Sequence, residues 1–160
     1  MALREGNTYR AVITGYSADG DGVARAEGMA VFVKGALRGE ETEFTVEHVG
    51  RSAAWAHADR LLTPSPARQE PDCPYYRQCG GCQFRHMTYA EELEAKGQRV
   101  QDALTRIGGA DAAVEVIHGA ADTERYRNKV QFPMGPGGIG YYQRGSHRVI
   151  DIKDCLLQPA

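Results

Sequence analysis

Long apolar runs are missing from this 160-residue sequence, so no segment reads as a bilayer span. The start, Met1 to Gly6, lacks the apolar stretch of a secretory signal. These two absences predict a cytoplasmic protein without a membrane partner, in a reducing compartment where structural disulfides are rare. Internal repeats and low-complexity tracts are also absent. Net charge is only −2, which excludes a uniformly basic polyanion binder. Charged residues at 25% and hydrophobic residues at 42% argue against disorder. Cysteine is scarce, with four in the chain, and their placement is the strongest signal in the sequence.

Charge is unevenly distributed. Residues 1–70 carry eight Lys/Arg against ten Asp/Glu, whereas residues 124–148 carry five against one. A local basic stretch is the footprint that a phosphate backbone requires.

Residues 1–63 read as all-β. Thr8–Thr14 is rich in strand formers, Asp19-Gly-Asp-Gly22 is a turn, and Val23–Arg25 and Met29–Val33 flank a second turn. Glu41–Val49 alternates charged and apolar residues, the period of a half-buried strand. Ala53–Leu62 reads as a fifth strand, although its alanines leave a helix open. Five short strands in so short a span suggest a small closed barrel, since closure removes exposed edges. Thr63-Pro-Ser-Pro66 breaks the pattern, and residues 64–74 read as a linker.

A single long helix is predicted over Thr88–Gly108, with Thr88 as N-cap and Glu91 at capping-box spacing. Tyr89, Leu93, Val100, Leu104 and Ile107 mark its apolar face. Strands are expected at Ala113–Ile117, Tyr126–Met134, Ile139–Gln143 and Val149–Ile152. The fold class is therefore mainly β with one long helix: an OB-like barrel at 1–63, and an incomplete α+β domain at 75–160.

Cys73, Cys79 and Cys82 form C-x5-C-x2-C, and Cys155 stands far downstream. Structural zinc sites usually combine two close ligand pairs. One cluster of three with a remote fourth resembles the spacing of cubane iron–sulfur sites more closely. Gly80-Gly81 allows backbone amides to approach the sulfur atoms. On spacing alone an iron–sulfur cluster leads, with zinc and unligated thiols behind it. His86 is a candidate neighbour of the site, or simply a polar loop residue ahead of the helix cap.

Three stretches together carry a resemblance: Cys79-Gly-Gly-Cys-Gln-Phe-Arg-His86, Tyr126-Arg-Asn-Lys-Val130, and Gly145 to Cys155. They resemble the RNA (uracil-5-)-methyltransferases, in particular the 23S rRNA branch that carries a [4Fe-4S] cluster. The Asp19–Arg25 turn, Val31–Leu37 and the Pro64–Arg68 exit resemble a TRAM domain, an RNA-binding barrel. The resemblance implies that Cys73, Cys79, Cys82 and Cys155 ligate the [4Fe-4S] cluster. It also implies methyl transfer from S-adenosylmethionine to carbon 5 of a uridine, with thiolate attack on carbon 6. No cysteine is left for that attack, and no glycine-rich turn follows a strand to hold the cofactor. The chain is thus expected to hold no catalytic residue and to be inactive alone. It is expected to form the N-terminal, RNA-handling portion, with the S-adenosylmethionine domain after residue 160.

The expected partner is RNA, probed by a monomer. Candidate contacts are Arg125, Arg127, Lys129, Tyr142, Arg144 and Arg148 in the basic stretch, and Arg25 and Lys34 on the barrel. Basic residues interleaved with aromatics suit unpaired RNA. Arg10, Arg38 and Tyr16 are further barrel candidates, whereas Phe32 is expected in the core. Two rival readings remain: a free-standing TRAM-type RNA-binding protein with a metal-stabilised module, and a zinc-stabilised interaction domain.

Overall fold

A computed structural model describes residues 2–159. The chain divides into two compact units. The barrel unit comprises residues 1–69 and 86–115, and the thiol unit comprises 70–85 and 116–160. The long helix thus groups with the barrel, a different partition from a linker at 64–74 followed by one domain at 75–160.

The barrel unit is a curled six-stranded sheet of β1 (Thr8–Val12), β2 (Gly15–Tyr16), β3 (Gly22–Ala26), β4 (Met29–Lys34), β5 (Glu41–Val49) and β6 (Ala53–Thr63), in the order β1-β5-β6-β4-β3-β2. All pairings are antiparallel except β4 with β6. Three register shifts between β5 and β6 bend these longest strands, as bulges do. Alternation decides what lies inside. Val31 and Val33 on β4, Phe44 and Val46 on β5, and Ala54 and Ala56 on β6 are all buried and share one core with Ile13 and Ala24. Burying Phe44 alone contributes roughly 2–3 kcal/mol. Phe32, expected in the core, lies instead on the outer face between two buried valines. A strand of period two cannot bury three consecutive residues against one core.

Glu40 is fully buried beneath the linker. Its carboxylate accepts from the Leu37 and Ser65 amides and from Arg68 Nε at 2.5 Å and Nη2 at 2.7 Å. Arg68 Nη2 also donates to the Gly35 carbonyl. Burial pushes the Glu40 carboxyl up, but these donors bring it below the ordinary carboxylate range. The Pro64–Arg68 segment is therefore fastened to the barrel.

Helix α1 (Tyr89–Asp102) starts where predicted, with Thr88 accepting from the Glu91 amide, and continues into a π-helical turn at Ala103–Ile107. The Glu91 side chain does not complete a capping box. It accepts from Tyr16 Oη at 2.7 Å and from Arg38 Nη2 at 3.1 Å, while the Arg38 amide donates to Tyr16 Oη. Burial, followed by Glu91, pushes the Tyr16 phenol up. Tyr16 and Arg38 therefore hold the helix. The buried helix positions are Ala95 and Gly97, whereas Val100 and Ile107 from the predicted apolar face are exposed. Gly97 thus lies on the buried side of the helix despite its cost to helix propensity.

Among the described residues the thiol unit contains β7 (Met134–Gly135), β8 (Gly138–Tyr142) and β9 (Val149–Asp151) and no other strand, paired antiparallel in that order. Gly140 is required at the β8–β9 contact, since a Cβ there would stand 1.9 Å from the Ile150 carbonyl oxygen. Two predicted strands are absent. Residues 113–117 are irregular, and Gln101 claims this segment by bonding the Ala112 carbonyl and the Val114 amide. Of Tyr126–Met134 only Met134 joins a strand. Pro133, which has no amide donor, interrupts the ladder just before it. Strand propensity without a pairing partner does not make a strand.

Candidate four-thiol site

The cysteine segment is shaped by backbone hydrogen bonds. The Cys79 and Gln78 amides donate to the Tyr75 carbonyl, and the Tyr76 amide donates to Cys73. The segment then joins the end of β8: the Gly80 amide donates to Tyr142, and the Arg144 amide to Gln78. On the far side, β9 delivers the chain to Cys155, and the Lys153 amide donates to Tyr75 Oη. All four cysteines line one pocket, together with Tyr75, Tyr76, Arg85, Tyr141 and Leu157 among others. None is in a disulfide.

The electrostatics are those of a dry thiol cluster. Burial pushes the Cys79 thiol up, against a hydrogen bond from the Gly81 amide at 3.3 Å, and the Cys73 and Cys155 thiols add to the rise. Burial also pushes Cys82 up, opposed by the Arg85 cation. Burial thus favours the protonated forms of Cys79 and Cys82 in the absence of a bound cation. Among the described residues, no group of three or more His, Cys, Asp or Glu side chains could hold a single metal ion.

Arg85 was not among the sequence candidates, and it is the best-buried cation of the site, with its side chain 15% exposed. Nε and Nη2 donate to the two Asp72 oxygens at 2.7 Å each, and Nη2 also donates to Glu124 at 2.5 Å. Its sequence signals were its position three residues after Cys82 and its place within the Cys79–His86 stretch.

The expected RNA contacts fall into two groups. Arg125 donates through both Nη atoms to Asp154 and through Nη1 to the carbonyls of Cys155 and Gln158. Arg144 Nη2 donates to the Cys82 carbonyl at 2.8 Å and to Cys79 at 3.5 Å, over the Tyr76 ring. These two face the thiol site. Lys129, Tyr142 and Arg148 are exposed, and Arg127 is half-buried beside Tyr141. On the barrel, Lys34 pairs with Glu47 at 2.9 Å, Arg10 pairs with Glu43, and Arg25 lies near the Gly28 carbonyl. His86 is buried in the barrel unit, where its carbonyl accepts from the Gln69 amide. Sequence reasoning also passed over Trp55. It is exposed on the barrel's outer face against Phe32 at 5.8 Å and His48 at 5.6 Å between ring centroids.

No helix among the described residues is long and apolar enough to cross a membrane. The TRAM domain profile matches residues 2–58. A protein of Clostridium tetani named as an uncharacterized RNA methyltransferase is 42% identical over 162 residues, covering 99% of this chain and 35% of that protein. A protein of the same description from Bacillus cereus is 43% identical over 145 residues, covering 88% of this chain and 32% of its own length. The chain thus spans about a third of the length of these curated relatives. Among solved structures, the Pyrococcus abyssi tRNA (uracil-54, C5)-methyltransferase in complex with S-adenosyl-L-homocysteine aligns with a TM-score of 0.63 and 27% identity, over 94% of this chain and 33% of that one. With a TRAM domain at residues 2–58, the chain is similar along nearly its whole length to about a third of proteins named as RNA methyltransferases.

Proposed function

We propose that this chain is the RNA-recognition and [4Fe-4S]-binding part of a cytoplasmic, monomeric enzyme that methylates carbon 5 of a uridine in 23S rRNA. The convergence of all four thiols on one pocket is the observation that supports the cluster. Four thiolates around one zinc ion, each at roughly 2.3 Å, stand roughly 3.8 Å from one another. A four-iron cluster spreads its thiolates wider, because each binds a different corner. Four thiols lining one pocket suit either group, and the sequence spacing of three near cysteines with a remote fourth favours the cluster.

The reaction needs a thiolate nucleophile and a base for the carbon 5 proton. With Cys73, Cys79, Cys82 and Cys155 committed to the cluster, the nucleophile lies outside these 160 residues. S-adenosylmethionine, held by the part of the enzyme outside this chain, supplies the methyl group when bound. Within the chain, the barrel, the half-buried Arg127 and the exposed Lys129, Tyr142 and Arg148 hold RNA, with Arg25 and Lys34 adding charge. A tRNA substrate is the second reading, favoured by the likeness to the Pyrococcus abyssi enzyme.

Methyl transfer by the full-length enzyme to 23S rRNA and to tRNA, with product mapped to the base, tests the substrate. Methylation of tRNA alone would sink the 23S assignment. Arg127→Gln and Lys129→Gln should each weaken RNA binding and lower its salt slope by about one. Unchanged slopes would remove both residues from the interface.

A further inference from the structure

The basic stretch does not act as one surface, because two of its arginines turn toward the cysteines. Arg144 reaches the peptide carbonyls of Cys79 and Cys82. Arg125 reaches the carbonyl of Cys155 and both oxygens of the preceding Asp154. Arg85 grips both oxygens of Asp72, the residue before Cys73, and extends to Glu124, the residue before Arg125. Each of the four cysteines therefore has an arginine fastened to its own peptide group or to its preceding neighbour. The connections span long sequence separations: 72 to 85 to 124, 79 and 82 to 144, and 155 to 125. Arg125 also holds φ at +56°, a left-handed conformation that side chains other than glycine rarely adopt. Its hydrogen bonds to Asp154, Cys155 and Gln158 offset that strain.

We propose that Arg85, Arg125 and Arg144 form a brace that positions the four thiols, with Arg125 and Arg144 serving the metal site rather than RNA. Planar guanidinium groups suit this task because one side chain bonds two acceptors in fixed geometry. The thiol unit needs such a device, since its best-buried side chains, Cys79, Val149 and Leu157, are each still 8% exposed. A small unit with so little core relies on cross-links of another kind. The three cations also stand beside what becomes an anionic centre on cluster loading, and such charge helps set its potential. The cluster version of the brace rests on the proposed function above; the positioning of the thiols rests on the geometry alone.

The test is anaerobic loading of the 160-residue chain with iron and sulfide, followed by a chelator challenge. Iron and labile sulfide per chain and the visible absorption are followed in time. Arg85→Gln, Arg125→Gln and Arg144→Gln should each release the cluster about tenfold faster than the parent chain, the usual scale for groups that support metal ligands. Arg144→Lys should restore only part of that retention, because an ammonium lacks the planar guanidinium that lies over the Tyr76 ring while Nη2 bonds both carbonyls. Arg144→Gln should also lower the reduction potential of the loaded chain, as removal of a nearby cation does. Fluorescence of Trp55 in the barrel unit should keep its parental unfolding transition in all these variants. Parental retention in Arg125→Gln and Arg144→Gln, with the salt slope of RNA binding lowered by about one in each, overturns the brace. A parent chain that takes up zinc and no sulfide sinks the cluster reading alone, and the same variants' rates of zinc release then decide the brace. A parent chain that takes up neither overturns both.

Discussion

The barrel unit buries Val31, Val33, Phe44, Ala54 and Ala56 completely, whereas the thiol unit buries no side chain to that degree and leaves Tyr126, Phe132, Met134, Ile139 and Tyr142 exposed. Both units are β-rich, and both derive from segments with adequate strand formers. They differ in what closes them. In the barrel, alternation along β4, β5 and β6 collects an apolar core from three strands at once. In the thiol unit, β7 and β9 have two and three residues, too short to collect one. Two kinds of stabilisation follow: area removed from water in one unit, and charged hydrogen bonds from Arg85, Arg125 and Arg144 in the other. Function follows the same division. A barrel needs no ligand to present a constant surface, whereas under the proposed function the thiol unit would take its final form on binding its cluster.

Removing a thiol should break this comparison most severely. Cys79→Ala should cost the thiol unit its protected structure, while the β4–β6 core remains protected, as hydrogen exchange followed by residue would record. Equal loss of protection in both units would show that the barrel depends on the site. The next largest effect belongs to the barrel. Glu40→Ala leaves Arg68 without its buried partner and should cost about 3 kcal/mol, measured by urea unfolding of the Trp55 signal.

The same contact makes the barrel acid-sensitive. The folded-state value of Glu40 lies below its unfolded value of about 4.3, so its contribution is complete above that pH and is lost as pH falls through the depressed value. Glu40→Gln should flatten that part of the stability-against-pH curve. An unchanged curve would place the acid sensitivity elsewhere. Smallest is Thr88→Ala, which removes one N-cap hydrogen bond and should cost about 1 kcal/mol by the same urea measurement, with no change in cluster retention.

Legibility in the sequence followed the same line. β1, β3, β4 and β5 were readable from strand formers, flanking turn residues and, in β5, a two-residue alternation, whereas the alanines of β6 left a helix open as well. The start of α1 was readable because Thr88 and the Glu91 amide lie within one turn. Ala113–Ile117 and Tyr126–Met134 misled because propensity is local, while pairing requires a partner strand that is not there. The helix face misled for a related reason. Periodicity selected Val100 and Ile107, but Ala95 and Gly97 are the positions that come inside. The four cysteines were legible as a set, since spacing and count alone marked them. The brace was not, since a charged residue near aromatics reads the same whether it faces a phosphate or a peptide carbonyl.

The sequence by itself determined the strand alternation, the helix start, the scarcity of thiols and the excess of positive charge after residue 123. Each of these is a property of neighbours along the chain. Only the tertiary structure decided that all four thiols meet at one pocket and that Arg125 and Arg144 turn toward them. It also decided that Glu91 docks the helix through Tyr16 and Arg38 instead of closing its own cap. These outcomes join residues 20 to 80 positions apart, where long-range geometry selects among partners that local chemistry leaves equivalent.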